Sequence, residues 1–71
     1  MLKYIVFDDD SLVLFNNKYT HNDYRMMGKT PVSAGYYDFE KHEVWGESVS
    51  LSLSYNDNDL KIIEDSIINK D

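Results

Sequence analysis

The chain has 71 residues, a formal net charge of −6 and no cysteine, and these features exclude several classes of protein. A chain of this length forms one domain, residues 1–71, and its few, scattered basic residues exclude a nucleic-acid surface, which needs concentrated Lys and Arg. The lack of cysteine excludes a disulfide framework and a thiolate zinc site, and no apolar run approaches the roughly 18 residues of a membrane span.

The same features set expectations for the cellular setting and for the assembly state. The start, "MLKYIVFDDD", lacks the basic region of a secretory signal, and a chain without cysteine suits a reducing compartment, so we expect a cytoplasmic protein that does not bind membranes. A domain of this size buries only about 60% of the surface of its unfolded chain, so its core is thin. Either a tightly packed single core or a homodimer would compensate for the small amount of buried surface.

Two short apolar segments open the chain. Residues 2–7 and 11–15 flank three aspartates and predict two strands joined by a tight reversal. Both segments are apolar at nearly every position, so we expect both faces of each strand to be covered.

A short helical segment follows. Thr20 is a candidate N-cap with Asp23 three residues on, and Gly28 is a natural C-terminal stop. This pattern predicts one or two helical turns in which His21 is the first residue and Met27 contributes to the apolar face.

The segment from Ser33 to Tyr55 is the clearest β region. Residues 34–39 predict one strand with a reversal near Lys41 and His42, and Gly46 suits a bulge or bend after "EVW". Beyond it, apolar residues alternate with serines, which predicts one strand with its serines facing solvent. The apolar set is Val49, Leu51, Leu53 and Tyr55, and the serines are Ser48, Ser50, Ser52 and Ser54.

The end of the chain, "NDNDLKIIEDSIINKD", predicts the main helix. Asn56 or Asn58 can cap it, and Asp57 and Asp59 suit the positive end of the helix dipole. Its apolar stripe, formed by Leu60, Ile62, Ile63, Ile67 and Ile68, is expected to lie on the apolar face of the serine-rich strand. The predicted order is ββαββα, an α+β fold with a small antiparallel sheet and the C-terminal helix packed on one face.

The carboxylates of Asp8 to Asp10 form the one cluster that suggests a catalytic or metal-binding site. The stretch "VFDDDSL" resembles the first motif of the haloacid dehalogenase-like hydrolases, and the resemblance implies a nucleophile at Asp8 and an acid/base at Asp10. That family has a parallel sheet whose crossover helices have no room in this chain, so we interpret the cluster as a turn. The alternative is a metal-dependent hydrolase or ligand-binding domain that uses Asp8 and Asp10, with Glu47 as a further carboxylate.

No other motif predicts catalysis. The run Gly28-Lys29-Thr30 lacks the upstream glycine of a phosphate-binding loop, since Asp23 stands there, and two histidines without cysteine are too few for a metal site. We therefore predict no catalytic residue, no metal site and no cofactor.

The surplus of aromatic residues favours a binding role. Tyr36 and Tyr37 are neighbours in a predicted strand and point to opposite faces, so we expect one of them at an interface. Trp45 is expected mainly in the core. The candidate binding residues are His21, Tyr36, Tyr37, Trp45, Glu47 and Ser48.

Most of the chain resembles short proteins of phages and mobile elements for which no activity is known. The matching residues are His21, Ser33-Ala34-Gly35, Gly46-Glu47-Ser48 and Ser50-Leu51. The resemblance implies a bacterial or phage cytoplasmic setting and favours a small protein that binds a host protein. The sequence thus predicts a non-catalytic acidic protein acting through protein–protein contact, either as a monomer or as a homodimer.

Overall fold

The computed structural model describes residues 1–25 and 28–68 as an antiparallel sheet, a small hairpin and a C-terminal helix. The sheet has the order β2-β1-β3-β4, and β5 and β6 pair separately. The elements are β1 (Leu2–Phe7), β2 (Leu12–Asn16), a 3-10 helix (His21–Tyr24), β3 (Pro31–Asp38), β4 (Glu43–Trp45), β5 (Glu47–Ser48), β6 (Leu53–Ser54) and α1 (Asp59–Ile68). The predicted α+β fold is confirmed; Met27 and the side chain of Ile68 lie outside the described part.

Strand β1 lies at the centre of the fold. It pairs antiparallel with β2 on one side and β3 on the other, and Tyr4 to Phe7 are all buried. Because side chains alternate along a strand, Tyr4 and Val6 face α1 while Ile5 and Phe7 face the opposite side. The expectation that this apolar run is covered on both faces is confirmed.

The helix α1 packs on the face of β1 that carries Tyr4 and Val6, and not on the serine-rich segment as predicted. The fully buried Ile63 anchors it there and contributes about 1.5–3 kcal/mol through its burial. Tyr37 completes this core from β3, and α1 also contacts β2 and β4.

The opposite face of the sheet is covered by the 3-10 helix and by the hairpin of β5 and β6. Its buried core consists of Ile5, Phe7, Phe15 and Ala34, with Tyr24, Leu51 and Leu53 packed against it. Each face therefore has its own small core, which suits a chain too short to build one large core.

The serine-rich segment is not one long strand, so that prediction is wrong. The chain reverses over residues 49–52, where Ser52 N–H donates to Val49 O at 3.2 Å and Ser52 has a φ of +56°. Ser48 is buried, and its hydroxyl accepts from Leu51 N–H at 3.3 Å. Serine side chains that bond nearby backbone favour turns over strands, and this competition outweighs the period-two pattern.

The 3-10 helix begins at the predicted residue. Thr20 and Asp23 form a capping box, in which Asp23 N–H donates to the Thr20 hydroxyl at 3.2 Å and Thr20 N–H donates to the Asp23 carboxylate at 3.0 Å. The helical residues end at Tyr24, earlier than the glycine stop suggested.

Candidate binding surface

The segment Asp8 to Asp10 is a tight turn between β1 and β2, as predicted. Phe7 N–H donates to Ser11 O, and Asp10 N–H donates to Phe7 O, both at 2.9 Å. Asp10 has a φ of +64°, a left-handed conformation that Asp tolerates better than most residues.

The charge of Asp9 in this turn is already compensated. Its carboxylate accepts from the hydroxyl and the N–H of Ser11, and Lys29 Nζ lies 3.1 Å from its other oxygen. The hydrogen bonds from Ser11, together with Lys29, lower the pKa of Asp9 to about 2. Within the described ranges, no three His, Cys, Asp or Glu residues meet in a metal-binding arrangement.

Four of the predicted binding residues line one hollow on the side of the sheet opposite α1. This hollow, of about 240 Å³, lies between the 3-10 helix and the β5–β6 hairpin. It is lined by His21, Tyr36, Glu47 and Ser48, together with Lys3, Thr20, Val49 and Ser50. The predicted set of binding residues did not include Lys3, Thr20, Val49 or Ser50.

Two further predicted residues lie outside this lining. Trp45 flanks the hollow because it pairs with Tyr36 across β3 and β4, where the two rings stack with centroids 4.7 Å apart. Tyr37 is buried in the core beneath α1 and is not part of the surface. The prediction that the adjacent tyrosines face opposite sides is confirmed, and Tyr36 is the one that reaches the surface.

Trp45 is 44% exposed, so its predicted place in the core is wrong. Strand β4 has only three residues and lies at the edge of the sheet, so within the described chain the sheet has no further strand beyond it. The indole therefore rests on Tyr36 with much of its surface open to solvent.

Gly46 makes the close packing of Tyr36 possible. Its φ is +81°, and a Cβ at this position would lie 2.5 Å from a ring carbon of Tyr36. The predicted bend at Gly46 is confirmed, and it both turns the chain from β4 into β5 and leaves room for the aromatic ring.

Six aromatic rings follow one another across this side of the sheet, and we call them the aromatic row. The order is Tyr19, Tyr24, Phe15, His21, Tyr36 and Trp45, and neighbouring centroids lie 4.3 to 6.0 Å apart. Both ends, Tyr19 and Trp45, are exposed. Each exposed end therefore packs against a neighbouring ring, Tyr19 against Tyr24 and Trp45 against Tyr36.

His21 is a buried member of the aromatic row. Its Nε2–H donates to Gly35 O at 3.0 Å, which fixes the tautomer of the neutral ring. Burial lowers the pKa of His21, and the hydrogen bond to Gly35 opposes this effect only in part. The bond holds the 3-10 helix on β3 and so maintains one wall of the hollow.

No family model matches the chain, and no curated protein or solved structure matches it either. In the part of the chain that the structure describes, no helix is both long enough and apolar enough to cross a bilayer.

Proposed function

We propose that this protein is a non-catalytic binding protein that contacts a protein partner through the hollow, whose rim includes the exposed Val49, and through the adjacent Trp45. The observation that carries the proposal is the exposure of these two apolar side chains, 83% and 44%, beside a preformed concavity. Tryptophan and tyrosine dominate the energetics of protein interfaces because they bury large areas at a low entropy cost.

The surroundings of Trp45 suit such a role. Tyr36 supports the indole from below, so little side-chain freedom is lost when a partner covers it. Lys3 and Glu47 bring one positive and one negative charge to the hollow, which gives the polar rim typical of an interface. A host protein as partner and a cytoplasmic setting are part of the proposal, and they rest on the resemblance to phage and mobile-element proteins.

The alternative site at Asp8 to Asp10 has less support. Lys29 already supplies a cation to Asp9, and the carboxylate is further engaged by Ser11. The turn at Asp8 to Asp10 is therefore not part of the proposed function.

The test compares two variants that change an exposed apolar residue into an acid. Val49→Asp alters the rim of the hollow, whereas Ile67→Asp makes the same change on α1, on the opposite side of the sheet. A partner isolated with the wild-type protein from the organism that carries the gene is then titrated with each purified variant by calorimetry.

We expect Val49→Asp to weaken the affinity for the partner at least about ten-fold, because a carboxylate would have to be desolvated in an apolar contact. Ile67→Asp should bind like the wild type. Equal affinity of wild type and Val49→Asp, or a selective loss with Ile67→Asp, would place the interface elsewhere and contradict the proposal.

A further inference from the structure

The strand β2 is an edge of the four-stranded sheet, and it carries none of the usual protection against pairing. Among the described strands it pairs with β1 alone, and its sequence "LVLFN" contains no charge and no proline. Natural edge strands are usually blocked by lysine, proline or a bulge, because an open edge pairs readily with another strand. An edge without such residues is suited to a strand partner.

The hydrogen bonds of the β1–β2 hairpin fix which backbone groups of β2 are free. Phe7 N–H bonds Ser11 O, and bonded pairs alternate with non-bonded pairs along an antiparallel ladder. Val13 and Phe15 therefore direct their backbone groups toward β1. The N–H and C=O groups of Leu12, Leu14 and Asn16 point away from the sheet.

We propose that β2 pairs antiparallel with β2 of a second copy of this chain, about a two-fold axis at Leu14. In this register Leu14 opposes Leu14 of the other copy, and Leu12 opposes Asn16. These are the outward-facing residues, so the pairing can form about six backbone hydrogen bonds. The carbonyl of Asn16, which already accepts from Tyr19 N–H, would accept a second bond.

Charge selects this arrangement. Asp10 precedes Leu14 by four residues and Lys18 follows it by four, so each Asp10 lies at the same end as Lys18 of the other copy. Neither forms a salt bridge within the described ranges, and the ammonium of Lys18 lies over the ring of Tyr19 at 5.1 Å. A parallel pairing would place the acidic turns of the two copies side by side, which is unfavourable.

The pairing leaves the candidate binding surface free. The two copies would form one eight-stranded sheet with β4 at each outer edge, and seven strand spacings of about 4.8 Å separate these edges by about 34 Å. The proposal does not depend on the proposed function, but it would give a binding protein two equivalent surfaces on one rigid sheet.

Sedimentation velocity from micromolar to millimolar concentration tests the proposal with two charge variants. Lys18→Glu turns both attractive pairs between Asp10 of one copy and Lys18 of the other into repulsive pairs. Lys41→Glu makes the same change in net charge at the β3–β4 turn, away from the proposed interface. We expect a dimer that Lys18→Glu weakens by at least about ten-fold relative to Lys41→Glu. A monomer at all concentrations, or equal effects of the two variants, would refute the proposal.

Chemical synthesis gives a second variant that leaves every side chain in place. N-methylation of Leu14 removes an outward N–H from β2, and N-methylation of Val44 does the same on the opposite edge strand, β4. Only the first should abolish the dimer, while thermal unfolding of a dilute sample shows that both variants still fold.

Isotope-filtered NMR on a mixture of labelled and unlabelled chains reports the register. The proposed axis brings the Hα atoms of Val13 and Phe15 from different copies together, because they form a non-bonded pair. An intermolecular contact between these atoms supports the proposal. A dimer without this contact, or one that survives N-methylation of Leu14, would place the interface elsewhere and refute it.

Discussion

Asp59 is a buried carboxylate at the start of α1, and its partners allow a quantitative prediction for Tyr4→Phe. Asp59 is 2% exposed and accepts from the Tyr4 hydroxyl at 2.6 Å, the Ser33 hydroxyl at 2.8 Å and Asn56 N–H at 2.9 Å. These bonds join α1 to β1 and β3. Leaving a buried acid without a donor is costly, so each of the three bonds contributes to the stability of the fold.

The variant Tyr4→Phe keeps the ring and removes one donor. A hydrogen bond to a charged group contributes about 1.5–3 kcal/mol, so we expect the free energy of unfolding to fall by about 2–3 kcal/mol. A domain of this length is stable by about 4–11 kcal/mol, and the melting temperature should fall by roughly 10–20 °C. Urea unfolding followed by the fluorescence of Trp45 measures the loss.

Tyr37→Phe is the matched control, because Tyr37 lies in the same core and its hydroxyl bonds no side chain in the described ranges. It should cost less than about 1 kcal/mol. If both variants lose equal stability, the bond between Tyr4 and Asp59 does not stabilise the fold and the reasoning fails.

The pH dependence gives an independent measurement. Burial and the bond to Asp59 raise the pKa of Tyr4, so above pH 10 the unfolded chain loses this proton while the folded chain keeps it. Stability should therefore fall as the pH rises above 10, and less steeply in Tyr4→Phe than in Tyr37→Phe.

Three further predictions concern the hollow and the first turn. Gly46→Ala should lower the free energy of unfolding by about 1–3 kcal/mol in urea titrations, because φ is positive and a Cβ would contact the ring of Tyr36; unchanged stability would contradict the packing. Burial lowers the pKa of His21 below 6.5, so the free energy of unfolding should fall as the pH drops through 6.5 toward the pKa of His21 in the folded protein. His21→Gln should weaken this pH dependence, and an equal pH dependence in both proteins would contradict the burial of a neutral ring. The pKa of Asp9 is about 2 instead of 3.8, and carboxyl NMR should show that it rises in Ser11→Ala; an unchanged pKa would show that Ser11 does not lower it. The stability that this turn contributes should be lost as the pH falls from 3.8 toward 2.

Elements with a strong local signal were predictable from the sequence. The apolar run of β1 indicates a strand covered on both faces, and Thr20 with Asp23 indicates the start of the 3-10 helix. The acidic turn and α1 also follow from local residues, because turn chemistry and helical spacing need no knowledge of the rest of the chain.

The hairpin of β5 and β6 was not predictable from its alternation. A period-two pattern of serine and apolar residues fits a strand, but the serine hydroxyls also bond nearby backbone, as Ser48 does with Leu51 N–H. Because Leu51 and Leu53 must cover Ile5 and Ala34, the tertiary core decides between the two structures.

The candidate surface was only partly predictable for the same reason. His21 and Glu47 lie far apart in the sequence, and they meet because the hairpin folds back toward the 3-10 helix. The exposure of Trp45 depends on β4 being a short edge strand, which is a property of strand order and not of local composition.

The bonds of Asp59 and the hollow lie on opposite faces of the sheet. The face beneath α1 holds the bonds of Asp59 and the burial of Ile63, whereas the opposite face carries the aromatic row and the hollow. Since β1 supplies alternate residues to both faces, we expect changes beneath α1 to lower stability without altering the proposed binding surface. A loss of partner binding in Tyr4→Phe at temperatures where it stays folded would show that the faces are coupled through β1.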